Sequence, residues 1–221
     1  MFNKEILKLY FICGTTTCNN KNLEQVVEEA LRGGITSFQF REKGDGALVG
    51  FQKEELARKI QNLCRLYQVP FIINDDIELA VKLDADGVHV GQEDGDVEKI
   101  RKLLPDKIIG LSVGNEEEQR RSKLEFVDYI GVGPVHSTIS KNNAGGAIGY
   151  TGLKKMRKLV PNIPIVAIGG IIKEDIKNIA ATGVEGVSII SAISYSENIK
   201  QTVEQMINEY KNYVGQEKNM C

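Results

Sequence analysis

The chain has 221 residues, 42% hydrophobic and 26% charged, which is enough for one sizeable core and short for two domains. A net charge of -2 with both signs interspersed offers no basic face for nucleic acid, and no apolar run reaches the roughly 18 residues a membrane span needs. Small molecules are the expected partners, and a homo-oligomer is compatible with this composition without being required by it.

The opening stretch MFNKEILKLYFIC is interrupted by charges and has no small-residue cleavage site after it, so a cytoplasmic location is expected. Cys13, Cys18, Cys64 and Cys221 form no CxxC pair and have no histidine at metal spacing, which reads as isolated reduced thiols. Of the two histidines, His89 lies within an apolar strand and His136 just past one. A lone strand histidine is more often a packed, hydrogen-bonded group than a general base.

Short β-rich runs alternate with amphipathic segments along the whole chain, the pattern of repeated βα units around a parallel sheet. The first strand is read at Lys8 to Cys13, followed by a loop of Gly, Thr and Asn and a helix at Leu23 to Leu31 that Gly33-Gly34 ends. The second strand, Ser37 to Glu42, places Gln39, Arg41 and Lys43 on one face and Phe38 and Phe40 on the other. A long helix, Phe51 to Tyr67, leads to the stretch PFIINDD, where the buried strand Phe71 to Ile73 gives way to Asn74, Asp75 and Asp76. Asp76 can cap the helix Ile77 to Leu83, leaving Asp75 for a cation.

Strand four, Val88 to Val90, opens at Gly91 into a second acidic turn with Gln92, Glu93 and Asp94. A helix at Val97 to Leu104, a strand at Ile108 to Ser112 and a solvated helix at Glu116 to Leu124 follow. Strand six, Tyr129 to Val135, ends in GPVHSTISK, a hydroxyl-rich loop with one cation, Lys141. Residues Asn142 to Gly149 are rich in glycine and read as mobile. The helix Gly152 to Leu159, the strand Pro164 to Ile168 with Gly169-Gly170 after it, the strand Val187 to Ile190 closing at Ser191, and the helix Ile199 to Tyr213 complete the chain.

Eight strand-helix units with no linker between them fit a closed (β/α)8 barrel of α/β class over residues 1–214, with 215–221 as a frayed tail. A doubly wound sheet fits less well, because no GxGxxG follows the first strand. In such a barrel, ligands bind at the carboxyl ends of the strands. Gly169-Gly170 and the turn after Ile190 stand where barrels build a phosphate cradle, and Arg41, Lys43 and Lys141 supply cations beside Asp75 and Asp94. Mg²⁺ commonly takes one or two carboxylates with substrate phosphates and water, so the two aspartates suit a metal shared with a diphosphate. No Ser-His-Asp or Cys-His system is visible, which favours chemistry driven by a departing phosphate group.

The ordered set QFREK at Gln39 to Lys43, NDD at Asn74 to Asp76, GVHVGQED at Gly87 to Asp94, GLS at Gly110 to Ser112, GVGPVHSTISK at Gly131 to Lys141, AIGGI at Ala167 to Ile171 and GVSIISAI at Gly186 to Ile193 resembles the thiamine-phosphate synthase family over nearly the whole chain. The resemblance implies condensation of a hydroxymethylpyrimidine diphosphate with a thiazole phosphate, or its carboxylated precursor, giving thiamine phosphate and pyrophosphate. Carried over by position, Gln39, Phe40, Arg41, Glu42, Lys43, Asn74, Ser112 and Lys141 would bind the pyrimidine diphosphate. Asp75 and Asp94 would bind Mg²⁺, and Thr138, Ile139, Ser140, Gly170, Ile190 and Ser191 the thiazole phosphate. Arg41, Lys43, Lys141 and Ser112 form the implied catalytic set, acting on a dissociative loss of pyrophosphate.

Two departures stand out in the sixth loop. Ser137 replaces a proline usual in the family, and Ser140 replaces a threonine while keeping its hydroxyl. A thiazole tautomerase-like barrel would carry a histidine after the fifth strand, where this chain reads Ser112-Val113-Gly114-Asn115. A non-catalytic phosphate-ligand binder would need the cradle but not the acidic pair.

Overall fold

The computed structural model describes residues 2–137 and 146–218, with side chains described to residue 213. Eight parallel strands close into a barrel in sequence order, β1 Leu9–Cys13, β2 Ser37–Phe40, β3 Phe71–Asn74, β4 Gly87–Val90, β5 Ile108–Ser112, β6 Tyr129–Val132, β7 Ile165–Ile168 and β8 Gly186–Ile189. The ring shuts where Leu9 of β1 pairs with Val187 of β8. The expected (β/α)8 fold is therefore the observed one.

The amphipathic helices wrap the outside because each of them buries an apolar stripe. In α1 (Leu23–Gly33), Leu23, Val26, Val27, Ala30 and Leu31 all turn inward, each large side chain contributing roughly 1.5–3 kcal/mol of burial. The Asn22 side chain accepts from the Gln25 amide at 3.1 Å to start the helix. Gly34, at φ 98°, ends it, whereas Gly33 is the last helical residue and has a packing role. A Cβ on Gly33 would lie 2.6 Å from Val203, so its absence lets α9 (Ile199–Lys218) lie close.

The other helices are α2 (Gly50–Leu66), α3 (Ile77–Leu83), α4 (Val97–Leu103), α5 (Glu116–Arg121), α6 (Gly149–Leu159), α7 (Ile176–Ala180) and α8 (Ser191–Ser194). The short α7 and α8 were not expected from periodicity. Helix α5 stops three residues early, where the Ser122 hydroxyl donates to the Glu118 carbonyl at 2.6 Å, and a 3-10 turn at Leu124–Phe126 follows. Strand β6 ends at Val132 and not at Val135, since Pro134 has no amide to continue the ladder. Helix α9 runs past Tyr213 to Lys218.

Two apolar regions result. The larger lies between barrel and helices and takes up Phe11, Phe38, Phe40 and Phe71. The smaller fills the barrel itself with Leu7, Tyr10, Ile12, Ile72, Tyr129 and Val166. Beneath it the 3-10 turn Lys4–Leu7 closes the amino-terminal end, Phe2 stacking on Tyr129 with ring centroids 6.0 Å apart.

Candidate active site

The loops at the carboxyl ends of β2, β3 and β4 converge on one cluster of charges. The Arg41 amide donates to the Cys13 carbonyl at 2.9 Å, carrying the chain one residue beyond β2 before it turns. Asp75 still donates its amide to the His89 carbonyl at 2.9 Å, but adopts φ 61°, a left-handed conformation that Asp tolerates and that redirects the chain at the end of the ladder. Asp94 closes its own turn by accepting from the Gly91 amide at 2.8 Å, and a Cβ on Gly91 would stand 2.6 Å from that carboxylate.

Lys43 joins the acidic turns: its ammonium lies 2.6 Å from Asp75 and 4.0 Å from Asp94. Burial raises the Asp75 carboxyl above its ordinary value, the facing Asp94 adds to this, and Lys43 opposes it. Burial lowers the Arg41 guanidinium while the charge of Asp75 holds it up, so the two belong to one electrostatic unit. Asp76 is separate. It caps α3 by accepting from the Leu79 amide at 2.9 Å and pairs with Lys53 at 2.7 Å. Against the cost of its partial burial, these partners hold it below its ordinary value.

The remaining pyrimidine-side residues divide by environment. Asn74 ends β3 at the mouth, half-buried. Gln39 points into the barrel and donates from Nε2 to the Tyr10 hydroxyl at 2.9 Å. Ser112 ends β5 with its hydroxyl 3.0 Å from His89 Nε2. The Phe40 ring lies in the outer apolar layer with its centroid 6.2 Å from that of Phe71, so its side chain supports the segment from behind. Glu42 accepts from the Thr15 hydroxyl, from the Thr15 amide at 2.9 Å and from the Leu48 amide at 2.8 Å.

That arrangement brings in Thr15 and Thr16, which sequence reasoning left inside an undifferentiated loop. The Thr16 hydroxyl donates to the Lys43 carbonyl at 2.9 Å, and a Cβ on Gly14 would lie 2.0 Å from the Arg41 carbonyl oxygen. The loop after β1 is thus pressed directly against the Arg41 to Lys43 segment. A polar cleft of about 490 Å³ opens beside it, lined in part by Thr15, Thr16, Asp45 and Tyr195. The signal was there in the sequence as three consecutive threonines at the carboxyl end of the first strand.

On the opposite side, Gly169 and Gly170 adopt φ 103° and 64°. A Cβ on Gly170 would come within 2.9 Å of both the His136 Cβ and the Ser137 carbonyl oxygen, so glycine is required by conformation and by space together. Ile190 follows β8 at the barrel mouth, and Ser191 is exposed at the start of α8. His136 stands 3.0 Å from Asp175. Thr138, Ile139, Ser140 and Lys141, and residues 142–145 of the glycine-rich 142–149 segment, lie outside the described residues.

The donor set fits a hard divalent cation. Asp75 and Asp94 offer carboxylate oxygens from neighbouring turns, brought together around an ammonium, and Mg²⁺ is bound by one or two such groups with substrate oxygens and water. Among the described residues no group of three or more His, Cys, Asp or Glu is arranged to hold a metal. Cys13, Cys18 and Cys64 are buried free thiols, and burial raises Cys13 to about 12.

Fold and site together define a (β/α)8 barrel with a cluster of acidic and basic side chains at its mouth. Residues 9–193 match the family model described as thiamine monophosphate synthase. The chain is 67% identical over 206 residues to thiamine-phosphate synthase 1 of Streptococcus pneumoniae, covering 93% of this chain and 99% of that one. It is 50% identical over 212 residues to thiamine-phosphate synthase of Staphylococcus haemolyticus, covering 96% and 100%. A solved thiamine phosphate pyrophosphorylase from Pyrococcus furiosus superposes with a TM-score of 0.84 at 33% identity, covering 96% of this chain and 99% of that one. The chain belongs to the thiamine monophosphate synthase family and is a transferase. No helix among the described residues is long and apolar enough to cross a membrane.

Proposed function

We propose that this enzyme joins a hydroxymethylpyrimidine diphosphate to a thiazole phosphate, releasing pyrophosphate and forming thiamine phosphate. The observation that carries this reading is the convergence of Asp75 and Asp94 on Lys43, with Arg41 in the same electrostatic unit. A site that holds two carboxylates against two cations is suited to a metal-bound diphosphate, and poorly suited to a neutral ligand.

In this reading Asp75 and Asp94 hold Mg²⁺, which when bound neutralises charge building on the leaving diphosphate. Lys43 balances the two carboxylates before substrate arrives and contributes its ammonium to the diphosphate afterwards. Arg41 and Lys141 add cations on the same group, so the bond from the pyrimidine methylene carbon to the bridging oxygen can break with both electrons going to pyrophosphate. The resulting pyrimidine cation is captured by the thiazole nitrogen lone pair, with Gln39, Asn74 and Ser112 orienting the pyrimidine. Thr138, Ile139, Ser140, Gly170, Ile190 and Ser191 hold the thiazole phosphate, whose glycine and helix-start setting matches the phosphate site barrels build after strands seven and eight.

The test incubates the full chain with both phosphorylated halves, with Mg²⁺ or with a chelator, and follows both products. Equimolar thiamine phosphate and pyrophosphate, formed only with the cation, is expected. Equal turnover under the two conditions would remove the metal from the scheme, and absence of product would remove the scheme.

A further inference from the structure

Inside the barrel a chain of hydrogen bonds runs from Gln39 to Ser112. Gln39 Nε2 donates to the Tyr10 hydroxyl at 2.9 Å, Tyr10 and Tyr129 hydroxyls lie 3.0 Å apart, Tyr129 meets His89 Nδ1 at 2.9 Å, and His89 Nε2 meets Ser112 at 3.0 Å. Gln39, Tyr10 and Tyr129 are each 1% exposed and His89 is 7% exposed. Phe2, Ile6 and Leu7 pack beneath them and close the barrel floor. Neighbouring strands make room for these groups. A Cβ on Gly110 would fall 2.2 Å from the Tyr129 ring and 2.5 Å from His89 Nδ1, and one on Gly131 would fall 3.2 Å from the His89 ring.

The direction of the hydrogens follows from matching donors to acceptors. If Tyr10 donates to Tyr129 and Tyr129 to His89 Nδ1, the imidazole carries its proton on Nε2 and donates it to the Ser112 oxygen. Both tyrosine hydrogens then have acceptors, and the Ser112 hydrogen is left to point into the mouth. With Gln39 Nε2 donating, the reverse order would make Tyr10 accept from both Gln39 and Tyr129, so that neither of these neighbours could accept its own hydrogen. An imidazolium would leave the same hydrogen stranded, because both ring nitrogens would then donate.

We infer that Tyr129 is a positioning residue, which holds His89 as its Nε2-H tautomer so that Ser112 presents its hydroxyl to the pyrimidine as a fixed donor. Tyr10 completes the chain from behind, and Gln39, also assigned to the pyrimidine, stands at its far end. This rests on the assignment of Ser112 to the pyrimidine under the proposed function. The geometry of the tautomer does not depend on it.

The experiment labels the histidines of the full chain with ¹⁵N and reads the protonation of each ring nitrogen in the free enzyme by NMR. The chain has only two histidines, and one spectrum of His136→Gln assigns them. Wild type is expected to show His89 protonated on Nε2. Tyr10→Phe is expected to retain that pattern, since Tyr129 can still donate to Nδ1. Tyr129→Phe is expected to lose it and to reduce kcat about tenfold, the value of one directed hydrogen bond, with the KM for the thiazole phosphate unchanged. A wild-type ring protonated on Nδ1, or on both nitrogens, would overturn the inference even if Tyr129→Phe failed to fold. So would a Tyr129→Phe enzyme with the wild-type tautomer, or one with an altered tautomer and full turnover. Product formation by wild type separately tests the proposed function, so the two can fail independently.

Discussion

Gly110→Ala is the substitution whose consequence can be worked most fully from the structure. The added methyl would stand 2.2 Å from Tyr129 Cζ, 2.4 Å from its hydroxyl and 2.5 Å from His89 Nδ1, where ordinary carbon contacts begin at roughly 3.5 Å. Tyr129 would have to move by over about 1 Å, yet it is stacked on Phe2 and meets Tyr10 edge-on, with both centroid distances 6.0 Å. Overpacking of this kind costs about 1–3 kcal/mol, and stranding a buried partner of the His89 to Tyr129 hydrogen bond costs about 1–3 kcal/mol more. A total of about 4 kcal/mol corresponds to a fall in Tm of roughly 8–16 °C for a chain of this size. The assay is thermal unfolding beside Gly114→Ala, whose new methyl would meet nothing nearer than 3.5 Å and should change stability by less than about 0.5 kcal/mol. Equal Tm values for the two variants would refute the packing argument.

Asp75→Asn should stabilise the fold at neutral pH while abolishing Mg²⁺-dependent turnover. Burial, and then Asp94, raise the Asp75 carboxyl in the folded state, so the fold binds that proton more tightly than the unfolded chain does. Stability present below the unfolded value is lost as pH rises through the folded one. Denaturation curves of wild type and variant should therefore converge in acid and separate with rising pH, and a variant less stable at pH 7 would show that pairing with Lys43 outweighs burial. Asp76→Ala should cost about 1 kcal/mol through loss of the α3 cap, measured by denaturant unfolding, and a loss below a few tenths would remove that role. Glu42→Ala frees the Thr15 and Leu48 amides and is expected to raise the KM for the pyrimidine diphosphate more than that for the thiazole phosphate. Parallel changes in both would point to general loosening of the mouth.

The barrel was legible because a parallel strand covered on both faces reads as an unbroken apolar run, as at Phe71 to Ile73, and because eight short strand-like runs alternate with amphipathic segments. Helices α7 and α8 leave no mark in the sequence pattern, since five and four residues are too few to display a helical period. Within the NDD stretch, Asp76 caps α3 as its place before that helix suggests, and Asp75 joins the charge cluster through Lys43. Glu42 was grouped with ligand-binding residues by resemblance, and only the fold shows its carboxylate held by chain amides. The interior chain was invisible for a related reason. His89 reads as packed, which it is, but its meeting with Tyr129 depends on the register that sets Gly110 opposite both residues.

The most direct test of the metal-diphosphate site is calorimetric titration of the enzyme with pyrophosphate, with and without Mg²⁺, in wild type and in Asp94→Asn. Binding by wild type that requires the cation, and is weakened at least tenfold in the variant, is the expected result. Equally tight binding in the presence of chelator, or an Asp94→Asn enzyme indistinguishable from wild type, would contradict a metal shared between Asp75, Asp94 and the diphosphate.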